Sequence, residues 1–276
     1  MSYVSLAGRG LALALMLLLA ACAWDRAAPV ESRSAQEIYL GAEALLQDGR
    51  PREAGALFAE VERLYPYSEW SRRAMLMSAF AYHEGRLYAE SRAAASRYID
   101  FFPADADAPY AQYLIALSYY DQIVDIGRDQ EMTFEALQEL RDIIERYPDS
   151  EWAASAGLKF DLALDHLAGK EMEIGRYYLG RGHFTAAINR FRVVVEEYQT
   201  TTHTPEALHR LVESYLTLGL TPEARTAGAI LGHNFQGSDW YRDSFALLTG
   251  QGLRPEDAGE GWLSQIYRQV VLGQWQ

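Results

Sequence analysis

The block YPYSEW, Tyr65 to Trp70, returns as YPDSEW, Tyr147 to Trp152, and in worn form as FQGSDW, Phe235 to Trp240. Phe102-Pro103 and Tyr198-Gln199 mark two further boundaries of the same kind. The chemistry is that of a helix junction. Proline cannot continue the helix before it, while Ser68, Ser150 and Ser238 can each cap the next one, with an acid following in its first turn. From Ala35 onward apolar residues recur at helical spacing and no stretch alternates with a period of two, so the fold class is all-α.

Counting back from each boundary gives a repeat with a small residue at position 8, Tyr or Leu at 11, Ala at 20, a large apolar residue at 24 and Pro at 32, the pattern of the tetratricopeptide repeat (TPR). Ala42, Leu45, Ala54, Phe58 and Pro66 satisfy it in repeat one. Repeat two has Ala79, Tyr82 and Pro103 but departs at Ser91 and Ala95. Repeat three has Ala116, Tyr119, Ala136, Leu140 and Pro148, with extra residues in its inter-helix turn near Val124 to Met132. Repeat four has Gly175, Tyr178, Ala187 and Phe191, and repeat five keeps Tyr215 and Ala224, with Gly228 and Gln236 weak. Small residues at 8 and 20 let two helices approach, and 11 and 24 fill the seam. The expectation is a TPR solenoid of about five helix-turn-helix repeats with an extra C-terminal helix. Trp152 to Leu179 lacks proline and predicts a long first helix for repeat four. After Pro255, Trp262, Leu263, Ile266, Tyr267, Val270 and Val271 share one helix face, as a capping helix or a partner-binding one.

The single cysteine, Cys22, excludes an intramolecular disulfide. Arg9 precedes an apolar run, Leu11 to Ala20, too short to span a bilayer but suited to a signal peptide. Leu19-Ala20-Ala21-Cys22 looks like a bacterial lipobox, in which the cysteine is diacylated, becomes the N-terminus and is acylated again. An ordinary signal peptide cut after Ala21 or Ala23 is the alternative. Lipoproteins with Asp after the cysteine tend to stay in the inner membrane, and Ala23 here favours the outer one. Three acyl chains anchor stably, since each buried CH₂ contributes about 0.8 kcal/mol. The organisation expected is a signal peptide over 1–21, a lipidated N-terminus and flexible tether over 22–34, and repeats one to three over 35–150. Repeats four and five follow over 151–240, and the capping or partner helix lies in 241–276.

Net charge is −13, and Arg9 is the only charged residue of the first 21, so without them 24 basic face 38 acidic residues, a balance of −14. Such a chain does not release counterions from nucleic acid and does not dock electrostatically on anionic lipid. No HExxH, P-loop, GxGxxG or GxSxG motif occurs, and the six histidines (83, 166, 183, 203, 209, 233) are scattered. The expectation is no catalytic residues, no metal and no cofactor. What remains is a surface. Positions 2, 5, 9 and 12 of each first helix face a solenoid's concave side: Gln36, Tyr39, Glu43 and Leu46; Arg73, Leu76, Phe80 and His83; Tyr110, Tyr113, Leu117 and Tyr120. The aromatics Tyr39, Phe80, Tyr110, Tyr113 and Tyr120 can serve a bound segment as rigid anchors, or pack against neighbouring repeats.

Glu173 to Phe191, EIGRYYLGRGHFTAAINRF, carries Tyr177-Tyr178, Arg181-Gly182, Ala187 and Asn189-Arg190; near the start stand EIY (Glu37 to Tyr39), Asp48-Gly49 and RLYP (Arg63 to Pro66). With the lipobox and the repeats, these resemble the BamD family, TPR lipoproteins of the outer-membrane β-barrel assembly machinery, from Cys22 to about Trp240. The resemblance implies a lipid-anchored protein on the periplasmic face of the outer membrane. It implies binding of a BamA-like barrel subunit through the later repeats, with other assembly lipoproteins as further partners, and reception of unfolded outer-membrane proteins in the N-terminal groove. Arg181, Asn189 and Arg190 are then candidates for the BamA contact, or Arg181 and Arg190 form internal ion pairs, with Glu173 a candidate partner for Arg190. A different periplasmic TPR adaptor, for instance one in cell-wall synthesis, is the alternative reading, and an enzyme the third.

Replacing the acyl acceptor, Cys22→Ser, is expected to abolish lipidation and leave precursor or a soluble periplasmic form. Mass spectrometry of the mature N-terminus checks this; an unmodified thiol at residue 22 in the wild-type protein, or cleavage elsewhere, contradicts it.

Overall fold

The computed structural model describes residues 29–257 and 261–272. Cys22 and the expected signal peptide, residues 1–21, lie outside the described residues. The fold is all-α and TPR-like: twelve α-helices, one 3-10 turn and, among the described residues, no strand. It divides into two compact units, one ending at Pro103 and the other beginning at Ala104.

Unit 1 holds the 3-10 turn Val30–Ser32 and helices α1 (Ala35–Gln47), α2 (Pro51–Leu64), α3 (Glu69–Glu84) and α4 (Tyr88–Phe101). Ser34 and Glu37 form a reciprocal capping box at the start of α1, which satisfies two otherwise orphaned backbone donors. Ala42, Ala54 and Phe58, the residues at positions 8, 20 and 24 of repeat one, have no exposed surface. In repeat two the misfit at position 20 has a reason. Buried Ser91 donates its hydroxyl to the Ala79 carbonyl at 2.8 Å, so a small polar residue keeps the helices close while it is itself satisfied. The tether expected to reach Ser34 is held from Pro29 on. Val30 packs on the unit 1 core, Glu31 lies 3.5 Å from Arg63, and the Tyr65 hydroxyl donates to the Arg33 carbonyl at 2.5 Å.

Unit 2 holds α5 (Ala108–Tyr120), α6 (Glu131–Arg146), α7 (Glu151–Gly180), α8 (Phe184–Glu197), α9 (Thr204–Thr217), α10 (Thr221–Asn234), α11 (Asp239–Gly250) and α12 (Trp262–Val270). The serines of the repeated block cap as their chemistry requires: Ser68, Ser150 and Ser238 each accept from the backbone N–H three residues on. The insertion of repeat three is the loop 121–130. It is pinned by Lys170 Nζ, which donates to the Arg128 carbonyl at 2.7 Å, and by Gln130, buried and bonded to Thr133.

The repeats expected over 35–150 and over 151–240 meet along α7. The first half of α7 completes the core of repeat three, where Ala153 and Ala156 join Tyr113, Ala116, Leu140 and Ile143. Its second half supplies Ala168 and Met172 to the next core, with Ala187, Phe191 and Leu208. One helix of 30 residues therefore belongs to two neighbouring repeats. The C-terminal stripe closes that second core, with Leu263 and Ile266 buried in it and Arg192 set over the Trp262 ring at 4.8 Å.

Four of the tight turns close with a glycine at positive φ: Gly49, Gly182, Gly219 and Gly252, at 72 to 75°. Arg86, at φ 58°, takes the same place in repeat two with the same hydrogen bonds, Arg86 N–H to His83 and Leu87 N–H to Tyr82. At Gly175 the requirement is space instead: a Cβ there would stand 2.8 and 2.9 Å from Cδ1 and Cζ of the buried Phe191 ring. In the terminal repeat, His209 joins α9 to α11. Its Nδ1 shares a proton with Ser244 Oγ at 2.8 Å, and its Nε2 lies 3.5 Å from Glu213. Ser244 has no exposed surface, so this Ser–His–carboxylate set is a tie between helices with no opening for a substrate.

Three substitutions test this packing through stability. Gly175→Ala is expected to cost roughly 1–3 kcal/mol in denaturant unfolding, because the overpacked ring outweighs the gain in helix propensity. Gly157→Ala, in the same helix with open space around its Cβ, is expected to stabilise by about 0.5–1 kcal/mol. For Glu213, the hydrogen bond from His209 and then the Arg210 guanidinium hold the carboxyl at about 2, below its ordinary 4.5. A depressed carboxylate stabilises above its unfolded value and loses that contribution as pH falls from 4.5 toward 2. Glu213→Gln should therefore lower stability near neutral pH by about 1–2 kcal/mol, allowing for partial exposure, and have little effect near pH 2.

Candidate functional site

The five aromatics of the expected client surface divide between the two units. In unit 1, Tyr39 is 8% exposed: its ring meets Phe58 edge-on at 5.2 Å and Trp70 at 5.1 Å, and burial, then the nearby Glu43, pushes its phenol up. Phe80 on α3 is half-buried. In unit 2, Tyr113 is likewise 8% exposed, and the Trp152 ring lies 5.0 Å from it and 4.6 Å from Tyr110. Burial raises the Tyr113 phenol against the opposing hydrogen bond with Ser155. Tyr120, half-buried, carries Lys159 Nζ 5.1 Å from its ring centre and lines a cavity of about 390 Å³ with Leu162 and His166.

Tyr39 and Tyr113 are thus packed rather than presented. Each faces the Trp at the end of the repeated SEW block, Trp70 or Trp152, so the residue that marks a repeat boundary in the sequence covers the tyrosine of the repeat before it. Phe80, Tyr110 and Tyr120 retain surface for a bound segment. The phenols raised by burial remain hydrogen-bond donors at neutral pH.

The basic candidates lie around the turn from α7 to α8. Arg181, at the C-terminal end of α7, is exposed and sets its guanidinium carbon 4.4 Å from the centre of the Tyr177 ring, itself 55% exposed. A guanidinium on an aromatic face is held in orientation while its N–H edges stay available. Asn189, in the second turn of α8, is exposed. Arg190 donates to Glu171 at 3.0 Å across the two helices, with its side chain 43% exposed. The internal carboxylate is Glu171 rather than Glu173, because Glu173 faces solvent from the opposite flank of α7. Arg176 of the same block is bound two-pronged to Glu206 at 2.9 and 3.0 Å.

Sequence reasoning passed over two exposed aromatics in unit 1. Tyr67 is fully exposed and Phe101 is 66% exposed, and both line a cavity of about 960 Å³ with Arg63, Arg72 and Met75. The available signal was the contrast between the two repeated blocks: where YPDSEW has Asp149, YPYSEW has Tyr67, an aromatic at a position the junction chemistry leaves to solvent.

No helix among the described residues is long and apolar enough to cross a membrane. A family model described as outer membrane lipoprotein, YfiO, matches residues 31–230. The outer membrane protein assembly factor BamD of Caulobacter vibrioides is 50% identical over 240 residues, 86% of this chain and 79% of that one. Its counterpart from Rickettsia prowazekii is 42% identical over 204 residues, 74% of this chain and 81% of that one. The BamD of Neisseria meningitidis serogroup A is 29% identical, covering 82% of this chain and 90% of its own. With a family match over most of its length and a half-identical relative across 86% of it, the chain belongs to the BamD family of outer membrane protein assembly factors.

Proposed function

We propose that this chain is a non-catalytic scaffold of the β-barrel assembly complex, anchored through an acylated Cys22 to the periplasmic face of the outer membrane. In this reading Arg181, Asn189 and Arg190 hold a BamA-like barrel subunit, and the half-buried aromatics Phe80, Tyr110 and Tyr120 receive unfolded outer-membrane protein segments. Tyr39 and Tyr113 set the shape of the surfaces they underlie. The observation that carries the proposal is the exposed Arg181 guanidinium laid on the exposed Tyr177 ring, with Asn189 exposed beyond the same turn. A solvated helix end has no need of an oriented guanidinium on an aromatic face. A carboxylate on a partner does, because the planar fork meets it two-pronged in a way lysine cannot copy.

Arg190 belongs to both roles. Its bond to Glu171 uses one nitrogen and leaves other N–H groups for a second carboxylate. A partly exposed pair of this kind stabilises by about 0.2–1 kcal/mol, so its loss barely moves the fold.

Affinity purification of the acylated protein is expected to bring down a BamA-like barrel. Arg181→Ala and Arg190→Ala are each expected to weaken that retention with a thermal midpoint lowered by no more than about 2–4 °C, and Arg190→Lys to restore it only in part. Should Arg190→Ala drop the midpoint further while binding per folded molecule stays unaltered, Arg190 is a structural residue alone. If no barrel is retained by the wild-type protein, the scaffold reading gives way to that of a different periplasmic adaptor.

A further inference from the structure

One groove occurs twice in this chain, once filled and once open. In unit 2 a cavity of about 240 Å³ lies where α8 ends and α9 begins, against the end of α10. In unit 1 a cavity of about 960 Å³ lies where α2 ends and α3 begins, against the end of α4. Placing Tyr65 against Tyr198 in sequence also places the helix-ending Phe102 against Phe235. In that register every residue from α8 to Phe235 that lines the smaller cavity falls on a residue that lines the larger. Buried Leu208 and buried Met75 share one place in the floor.

The cover differs. The unit 2 groove holds Ile266 of α12, and Ile266 and Leu263, on one face of that helix, are both buried in the core beneath. Trp262, at the head of α12, lies against Arg192, whose place in unit 1 is taken by Ala59, also on the cavity wall. In unit 1 the rim is bare. Tyr67 and Phe101 stand exposed where unit 2 has Thr200 and Asn234. Two aromatic rings left uncovered beside an apolar floor mark a surface that another molecule covers. The middle of the groove selects for an apolar occupant. Where unit 2 has Val195 and Ile230, unit 1 has Glu62 and Arg97, bound to each other two-pronged at 3.1 Å. A pair already satisfied does not call for a charged ligand, and covering it leaves no charge buried alone.

We propose that the unit 1 groove is the docking site for an amphipathic helix of a partner protein, seated as α12 is seated in unit 2. Aliphatic side chains three positions apart on that helix cover Met75, and Tyr67 and Phe101 close on its flanks. Recognition of this kind reads anchors at i, i+3 and i+4 on one helix face. Helix α12 is committed to its own groove, so the occupant comes from a second protein. None of Phe80, Tyr110 and Tyr120 lines this groove, and the site stands whether or not they receive clients.

The test offers residues 261–272 as a free peptide to the full chain carrying the photo-crosslinker p-benzoylphenylalanine at position 67. The expected result is a crosslink that saturates with peptide concentration. Leu263→Asp with Ile266→Asp in the peptide should abolish it. Phe101→Ser in the protein, at an exposed position that the fold tolerates, should reduce it roughly three- to tenfold, the loss of one aromatic contact. In native membranes, position 67 is expected to capture a segment of another protein with aliphatic residues three apart, and the peptide to compete with it. No crosslink to the peptide, or one that survives the two aspartates, overturns the proposal. So does capture in membranes that the peptide does not displace: residues 22–28 of the same chain make the tether the occupant, a second copy makes the groove a dimer contact, and an extended barrel-strand segment makes it a client site.

Discussion

The contact on which this architecture rests is an aromatic or aliphatic side chain laid directly on the backbone of the facing helix. Phe191 lies over Gly175, the Tyr82 ring over Gly55, Tyr241 over Gly232 and Leu248 over Gly228, each so close that a Cβ would collide. Where the small residue is Ala or Ser instead, the approach is only slightly looser, and Ser91 secures it with a hydrogen bond to Ala79. Burying a side chain like Phe191 contributes about 1.5–3 kcal/mol, but only if the opposite helix removes every atom in its way. The fold is thus specified as much by missing side chains as by present ones.

That constraint decides which residues are left to face a partner. With positions 8, 20 and 24 consumed by the seam, a repeat can spend chemistry only on the outer rows of its first helix and on its turns. In the first rows the tyrosines are partly recruited by the next repeat's tryptophan, as Tyr39 is by Trp70 and Tyr113 by Trp152. The turns stay free of such claims. Arg181 on Tyr177 at one turn, and the Arg63–Tyr67 corner at another, are accordingly where the structure presents charge beside aromatic surface.

Much of this was legible in the sequence because the seam is periodic. Ala42, Ala54, Ala116, Ala187 and Phe191 could be placed by counting, and all are fully buried; the capping serines and the long helix from Glu151 followed from local chemistry. The candidate surface was less legible for a physical reason. Position in a repeat says which way a side chain points, but coverage depends on what the following repeat lays over it, which is a contact between residues far apart in sequence. Hence Tyr113 and Tyr110 looked equivalent and are not. The partner of Arg190 could be narrowed to an acid on α7, yet choosing Glu171 over Glu173 needed the rotation of that helix. That α7 serves the repeats on both sides likewise needed the packing.

The sharing of α7 also governs how unit 2 comes apart. Repeat arrays ordinarily melt in pieces, each repeat opening at its own small cost and exposing a cleavable loop. A continuous helix of 30 residues embedded in two adjacent cores denies that route, since neither core can open without fraying the rod that holds the other. Unit 2 is therefore built to unfold as one cooperative block across repeats three to five. Its native-state lifetime then reflects the whole block rather than its weakest repeat.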